Sequence, residues 1–587
     1  MSRRIESVPV LPAGGCPASC RPLALVERDR LLGFEAEPAG GPCPWCLEAW
    51  REERRPGRPR RPLLPRAGRR LPGGGHEMEE GRPGEAIDRL AGVLGGRAEH
   101  LLWVEPETLP RQLLTIPHRV ARFGVPVHLV RIPHAPWRLA RRLAGLVPRE
   151  SLLSLGEASP GAGDVVLAWS VDSAGGWARE AAWLRAARAR GARVVAIGPL
   201  AGIHDEGGDT VLRVPPGWEG ALALALAATP RAPAPGGWSL RRVAEETGLD
   251  EQELERIAGL LADCAGKRFL LPGAPLSVEA ETTLAALANL ALVRRARLVV
   301  SMPPPPLEPV LPGEGRVLGV QPDKTGEILA ELPAGRTVVV AAGIDPLAGF
   351  PGARELGRFL DAAGLVAVFG PWRGPVARRA DLVIAVPGPL SRAGTCWTVA
   401  GAWRGRSLSA PPGDVEDELA TWRAVGRRLG APEQLFAPGE EAAEPREPAL
   451  PASRRDAPAL AASWRPDPSL VAGGGLVFLA RRVPPGTETG DRAPGVRVAP
   501  GTASRRKLRE GSLARLRSGD LDVLVRVLLD EALPEDLVAY GAPDLPSRPG
   551  PGVLAAPPLV LGAAVPFRGE LFPTRSGGQR LTGDNES

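Results

Sequence analysis

Six cysteines occur in 587 residues, and four of them, Cys16, Cys20, Cys43 and Cys46, form two close pairs with residues 21–42 between them. Thiolates are the donors that hold iron–sulfur clusters and structural zinc, and a chain gathers them at this density when something binds them. A 4Fe–4S cluster needs four thiolates around a cube, which two pairs on either side of a hairpin can supply. A tetrahedral zinc site on four cysteines is the alternative, although its knuckles are more often C-x2-C than C-x3-C. Unligated thiols are the remaining reading. Spacing alone does not separate iron from zinc. Cys264 and Cys396 stand alone far downstream and read as packed core or loop residues.

The elements that must bring the pairs together can be read locally. Residues 23–36 suggest two short strands around a turn at Arg28–Arg30, and this hairpin carries one cysteine pair before it and the other after it. Residues 84–94 have helical spacing. From about residue 98 to 230, apolar runs such as Leu101-Leu-Trp-Val, Val127-His-Leu-Val, Asp164-Val-Val-Leu-Ala-Trp and Ala192-Arg-Val-Val-Ala-Ile alternate with helical patterns. That alternation predicts a doubly wound parallel sheet. Pro110 to Phe123 reads as a helix that Pro117 kinks or breaks. Ser239 and Asp250 read as helix N-caps, the second with Glu253 as a capping box. A second strand–helix run covers the segments at 298, 317, 337, 365 and 382, and short apolar runs from 474 onward predict a small barrel.

These elements divide the chain as follows. Residues 1–70 form a cysteine-cluster unit with a basic, Pro-rich connector, and 71–235 a first α/β domain. A helical segment follows at 236–297, then a second α/β domain at 298–433 and a linker at 434–473. A β-barrel at 474–545 and a surface tail at 546–587 complete the chain. The expected fold class is α/β and multidomain.

Net charge is +6, carried almost wholly by arginine, since lysine occurs only at Lys267, Lys324 and Lys507. The densest basic run, Arg51 to Arg70, is Pro-rich and lacks the interleaved aromatics of a nucleic-acid surface, so nucleic acid is not an expected partner. No run of apolar residues reaches membrane-spanning length. The twin arginine at Arg3–Arg4 is not followed by an apolar export region, which predicts a cytoplasmic protein whose thiols stay reduced.

In this order the units resemble the molybdopterin oxidoreductase superfamily, in particular formate dehydrogenase catalytic subunits and the large iron–sulfur subunit of respiratory complex I. The likeness covers roughly residues 8–430 and, more weakly, the barrel. That family opens with C-x2-C-x3-C and a later fourth cysteine. Cys16-Pro-Ala-Ser-Cys20 matches the second and third ligands, Ala13 falls where the first would be, and Cys43 and Cys46 supply the fourth and an extra. Arg61-Pro-Leu-Leu-Pro-Arg66 resembles the family's R-x-P-L-x-R segment. The strings beginning at Glu85, Asp164, Arg188, Thr283, Arg379 and Gly394 resemble later family stretches in the same order.

Departures from the family lie at the positions that carry its chemistry. The metal-binding string R-x-C-H-x-P reads Arg131-Ile-Pro133-His134-Ala-Pro136, so a proline replaces the ligand and His134 stands at the family's proton-handling position. The guanine-contacting turn reads Gly343-Ile-Asp345-Pro346. The stretch from Gly394 to Arg404 replaces polar contacts by Thr398, Ala400, Ala402 and Arg404. Four prolines, from Pro303 to Pro306, replace a Gly-rich phosphate cradle, and proline offers no backbone N–H to a phosphate. The lysine expected between cluster and pterin is absent beside Cys46, where Trp45 or Glu48 stands.

The resemblance therefore implies an electron-transfer or scaffold subunit with one 4Fe–4S cluster on Cys16, Cys20, Cys43 and Cys46, without active molybdenum chemistry on a molybdopterin guanine dinucleotide. Its partners would be other subunits of a redox complex, linked to NADH, ferredoxin or quinone, placing it in the cytoplasm or on the cytoplasmic face of a membrane. A molybdopterin-dependent enzyme of formate dehydrogenase type and a redox-silent scaffold with a zinc site are the competing expectations.

Overall fold

The computed structural model describes residues 5–12, 21–28, 30–37, 61–70, 76–132, 134–171, 178–199, 210–229, 233–273, 281–301, 316–320, 325–343, 346–347, 353–370, 375–388, 391–398, 401–408, 418–432, 461–463, 465, 476–481, 495–518, 521–531, 533, 535, 537–541, 559–560, 563–564 and 567–573. Alternating burial and a tight turn organise the first of these. Glu6–Pro9 (β1), Arg21–Glu27 (β2) and Arg30–Glu37 (β3) form an antiparallel sheet in the order β1-β2-β3. Arg28 takes a φ of 47° at the expected turn, and Glu27 pairs with Arg30 across it.

Two larger sheets follow, and their strands interleave along the chain. In order they are Leu63–Arg70 (β4), His76–Glu80 (β5), His100–Pro106 (β6), Val127–Ile132 (β7), Leu152–Ser154 (β8) and Val165–Trp169 (β9). Arg193–Ile197 (β10), Thr210–Leu212 (β11), Arg268–Pro272 (β12) and Arg297–Val300 (β13) come next. Val317–Val320 (β14), Thr337–Ala342 (β15), Leu365–Phe369 (β16) and Leu382–Ile384 (β17) complete the set. One sheet has the order β14-β7-β6-β15-β16-β17-β4-β5, the other β11-β10-β9-β12-β13-β8. Apart from the antiparallel β4 and β5, the strand pairings within both are parallel.

This corrects one expectation. The strands between residues 98 and 230 do not make a single sheet: β6 and β7 pair with strands from beyond residue 316, while β9 and β10 pair with each other and β9 with β12. Periodicity marks a strand but carries no information about its partner, so contiguity along the chain is a poor guide to sheet membership.

Both sheets are covered on both faces, which is why their strands read as continuous apolar runs. Leu101, Trp103, Val338 and Val340 enter one core, and Leu102, Val104, Val339 and Ala341 enter the core on the opposite face. In the second unit Val165, Leu167 and Trp169 face one side and Val166 and Ala168 the other. The helix Ala135–Ala144, directly after β7, contributes Leu139, Ala140, Leu143 and Ala144 to the core of the second unit. The chain thus passes from one α/β unit to the other just after Ile132.

Smaller features follow their local chemistry. The segment after Pro110 is broken into Arg111–Leu114, Ile116–Val120 and a 3-10 turn Ala121–Phe123, the break falling at Thr115, ahead of Pro117. Ser239 and Asp250 cap their helices by accepting from Arg242 N at 3.1 Å and Gln252 N at 3.0 Å. The expected capping box is not completed, because the Glu253 carboxylate is taken by Arg256 at 2.8 Å.

Gly394–Thr398 (β18) and Gly401–Gly405 (β19) form an antiparallel ribbon. Beyond it, Leu476–Arg481 (β20), Gly495–Val498 (β21), Leu513–Ser518 (β22), Leu521–Leu529 (β23) and Leu537–Gly541 (β24) belong to a closed barrel, as their apolar runs predict. Leu559–Val560 (β25) and Ala563–Ala564 (β26) pair with each other, and Phe567–Pro573 (β27) closes the barrel between β20 and β22. Part of the expected surface tail at 546–587 is therefore a barrel strand. Alternating residues in Phe-Arg-Gly-Glu-Leu-Phe carry that signal, which the surrounding proline and glycine mask.

Candidate functional site

Each α/β unit has one place where the strand order reverses, and such reversals leave a crevice at the carboxyl ends of parallel strands. In one unit the reversal lies between β6 and β15, in the other between β9 and β12. The backbone plan is the same at both. Gly343, at φ 69°, follows β15 and donates to Phe369 O at 2.7 Å; Ser170, at φ 52°, follows β9 and donates to Ile197 O at 2.6 Å. Gly370 and Gly198 then donate to the ends of the next strands, Ile384 and Leu212.

The side chains at the two crevices differ. At β9/β12, Gly273 lies against Ser170 so closely that a Cβ there would collide with the Ser170 carbonyl, and a Cβ on Gly198 would stand 3.0 Å from Ser170 Oγ. Ser170 Oγ is enclosed without a hydrogen-bond partner among the described residues. A non-glycine residue in the left-handed region, with an orphaned hydroxyl, is the kind of strained position that functional crevices accumulate.

At β6/β15 the crevice is acidic and already occupied by the chain's own cations. Glu105, with no exposed surface, accepts at Oε1 from Arg131 Nε at 2.9 Å and Nη2 at 2.6 Å, and at Oε2 from Trp103 Nε1 at 2.9 Å. Burial pushes its carboxyl up to about 7, against the lowering effect of the Arg131 charge and hydrogen bonds. Two residues on, Glu107 accepts from the backbone N of His134 at 3.2 Å and from Arg141. Arg131 also donates to Leu114 O at 3.2 Å. His118 is held below its usual imidazole range by burial and then by Arg131.

His134 is buried at the N-terminus of the helix Ala135–Ala144, with its ring edge-on to Trp137 at 4.7 Å. Its backbone N–H, through Glu107, ties the start of this helix to the end of β6. Cys396 is buried on β18, where burial pushes its thiol up to about 12. Cys264 follows the helix Glu251–Ala262 and its Sγ lies 3.4 Å from Gly163 O. Both sit as packed residues, which is how their isolation reads in the sequence.

The cysteines Cys16, Cys20, Cys43 and Cys46 lie outside the described residues, as do Ala13, Trp45, Glu48, Pro133, Asp345, Ala400 and the prolines 303–306. Among the described residues no group of three or more His, Cys, Asp or Glu side chains is placed to hold a metal ion. What is described is the frame around the cysteines: Arg21, next to Cys20, is the register partner of Glu37. Thr398 is buried at the end of β18, and Arg404 lies opposite Thr395 on the paired ribbon.

Glu105 and Glu107 are not singled out by the sequence reading. The available signal is a charged residue ending the apolar run Leu101-Leu-Trp-Val, at the end of a parallel strand where ligands are met.

No family model matches the chain, and no curated protein is matched by it. Among solved structures it is similar to acetylene hydratase from Pelobacter acetylenicus, with a TM-score of 0.66 and 14% sequence identity, over 96% of this chain and 100% of that one. At that identity the likeness establishes the fold alone, an α/β multidomain architecture. No described helix is long and apolar enough to cross a membrane.

Proposed function

We propose that this chain is an electron-transfer subunit of a larger redox complex, with a molybdopterin oxidoreductase-like body and one 4Fe–4S cluster on Cys16, Cys20, Cys43 and Cys46. The observation that carries the reading is the β2–β3 register, in which Arg21 faces Glu37. The chain leading in from Cys16 and Cys20 and the chain leading out toward Cys43 and Cys46 thus start from neighbouring positions. Four thiolates suit iron as a donor set.

A molybdenum or tungsten pterin centre does not fit the residues of the β6/β15 crevice. Pro133 has no side-chain donor, and the carboxylates at the crevice, Glu105 and Glu107, are each already matched to an arginine. No step is therefore routed through such a centre. A cluster with no substrate chemistry beside it is useful only within electron-tunnelling reach of another cofactor, so partner subunits follow from the reading.

One observation favours a second reading, a molybdopterin-dependent oxidoreductase that holds its metal without a protein ligand. The β9/β12 crevice keeps a close backbone cradle and the orphaned Ser170 hydroxyl, which suit the nucleotide end of a dinucleotide. Replacing Cys20 by Ser tests the first reading. Loss of iron, sulfide and visible absorbance is expected; unchanged iron content would refute the ligand set, and a pterin in the purified protein would favour the second reading.

A further inference from the structure

Among the described residues, Glu105 is surrounded by hydrogen-bond donors alone. Both Arg131 contacts reach Oε1, and the Trp103 indole reaches Oε2. An ionised carboxylate accepts from all three at once. A neutral carboxyl keeps acceptor capacity but loses the charge that strengthens both Arg131 contacts, so protonation weakens the grip on Arg131. The described charges around it are few. Arg131 faces Glu105 from β7, and His118 lies near Arg131 on the helix Ile116–Val120. Arg141, on the helix Ala135–Ala144, is engaged with Glu107 in the adjoining pair.

Arg131 is the penultimate residue of β7, just before the point where the chain crosses from one α/β unit to the other. Its side chain is a quarter exposed, whereas Glu105 is sealed, so the arginine can turn toward solvent when its partner is neutral.

We propose that Glu105 is a proton-operated latch on this crossing: it grips Arg131 when ionised and lets go when neutral. Burial outweighs the attraction of Arg131 and brings the carboxyl to about 7, which sets the latch within the neutral range. The inference rests on the fold and on this cluster of groups, and it stands whether or not the cysteines hold iron.

The test is tryptophan emission of the full chain as a function of pH, compared with Trp103→Phe to isolate the Trp103 signal and with Glu105→Gln. The wild-type minus Trp103→Phe difference is expected to titrate with a midpoint of about 7, and the Glu105→Gln protein to show no such transition. Amide exchange at His134 and Arg138, whose N–H groups bond Glu107 and His134 O, compared at matched intrinsic rates, is expected to quicken several-fold on the acid side in the wild type only. An identical transition in Glu105→Gln, or none in the wild type, overturns the latch. If Glu105→Gln does not fold, Arg131→Lys decides. Losing the two-pronged guanidinium contact must move the midpoint to higher pH, and an unmoved midpoint overturns the proposal.

Discussion

At the β9/β12 end the chain places Ser170, Gly198 and Gly273; at the β6/β15 end it places Glu105, Glu107 and Gly343. The backbone hydrogen bonds at the two ends correspond strand for strand, yet one crevice holds glycines packed on Ser170 and the other two buried carboxylates tied to arginines. A shared fold therefore fixes where a crevice lies, and the side chains decide what can enter it. The first unit has spent its crevice on holding the chain crossing after β7.

The largest expected effect comes from Glu105. Its folded-state pKa is raised, so its contribution to stability is fully present below the unfolded value of 4.5 and is lost as pH rises through about 7. The loss is on the order of 3 kcal/mol. Urea unfolding across that window should show wild type falling relative to Glu105→Gln; parallel pH profiles would dissolve the contrast between the crevices.

Next, Gly273→Ala should cost roughly 2–3 kcal/mol, because the new Cβ meets the Ser170 backbone, which cannot give. At the other crevice, a Cβ on Gly343 would stand 2.7 Å from Leu109 Cδ2, a side chain that can turn away. Gly343→Ala should therefore cost only the left-handed backbone penalty of about 1–2 kcal/mol. Equal costs would show that the second cradle is no tighter than the first.

Ser170→Ala should stabilise the isolated chain by about 1 kcal/mol, since the hydroxyl is enclosed without a partner among the described residues. A loss of stability would mean that the hydroxyl is satisfied in the folded chain. The smallest effects fall on the helices of the second unit. Asp250→Ala removes a cap and should cost about 1 kcal/mol. Glu253→Ala removes only a partly exposed pair with Arg256 and should cost less than about 0.5 kcal/mol. Thermal unfolding ranks the two.

Much of this architecture is legible in the sequence. The β2–β3 hairpin, many apolar strands of both sheets and the caps at Ser239 and Asp250 follow from local periodicity and local hydrogen bonding, whereas the strand β12 lies inside the segment 236–297 that reads as helical. Sheet membership does not, because β6 finds its partner β15 only after the whole second unit has been inserted between them. The barrel strand β27 is hidden by its Pro- and Gly-rich surroundings. Within the site, that Pro133 offers no side-chain donor to a metal can be read from residue type alone. The role of Glu105 cannot, since a glutamate at a strand end is ordinary until three donors are seen to converge on it.

Iron and acid-labile sulfide, measured together with molybdenum, tungsten and zinc in protein purified without oxygen, test the proposed function most directly. One 4Fe–4S cluster per chain, an electron paramagnetic resonance signal on reduction and no molybdenum or tungsten are expected. Stoichiometric molybdenum or tungsten, or zinc in place of iron, would contradict it.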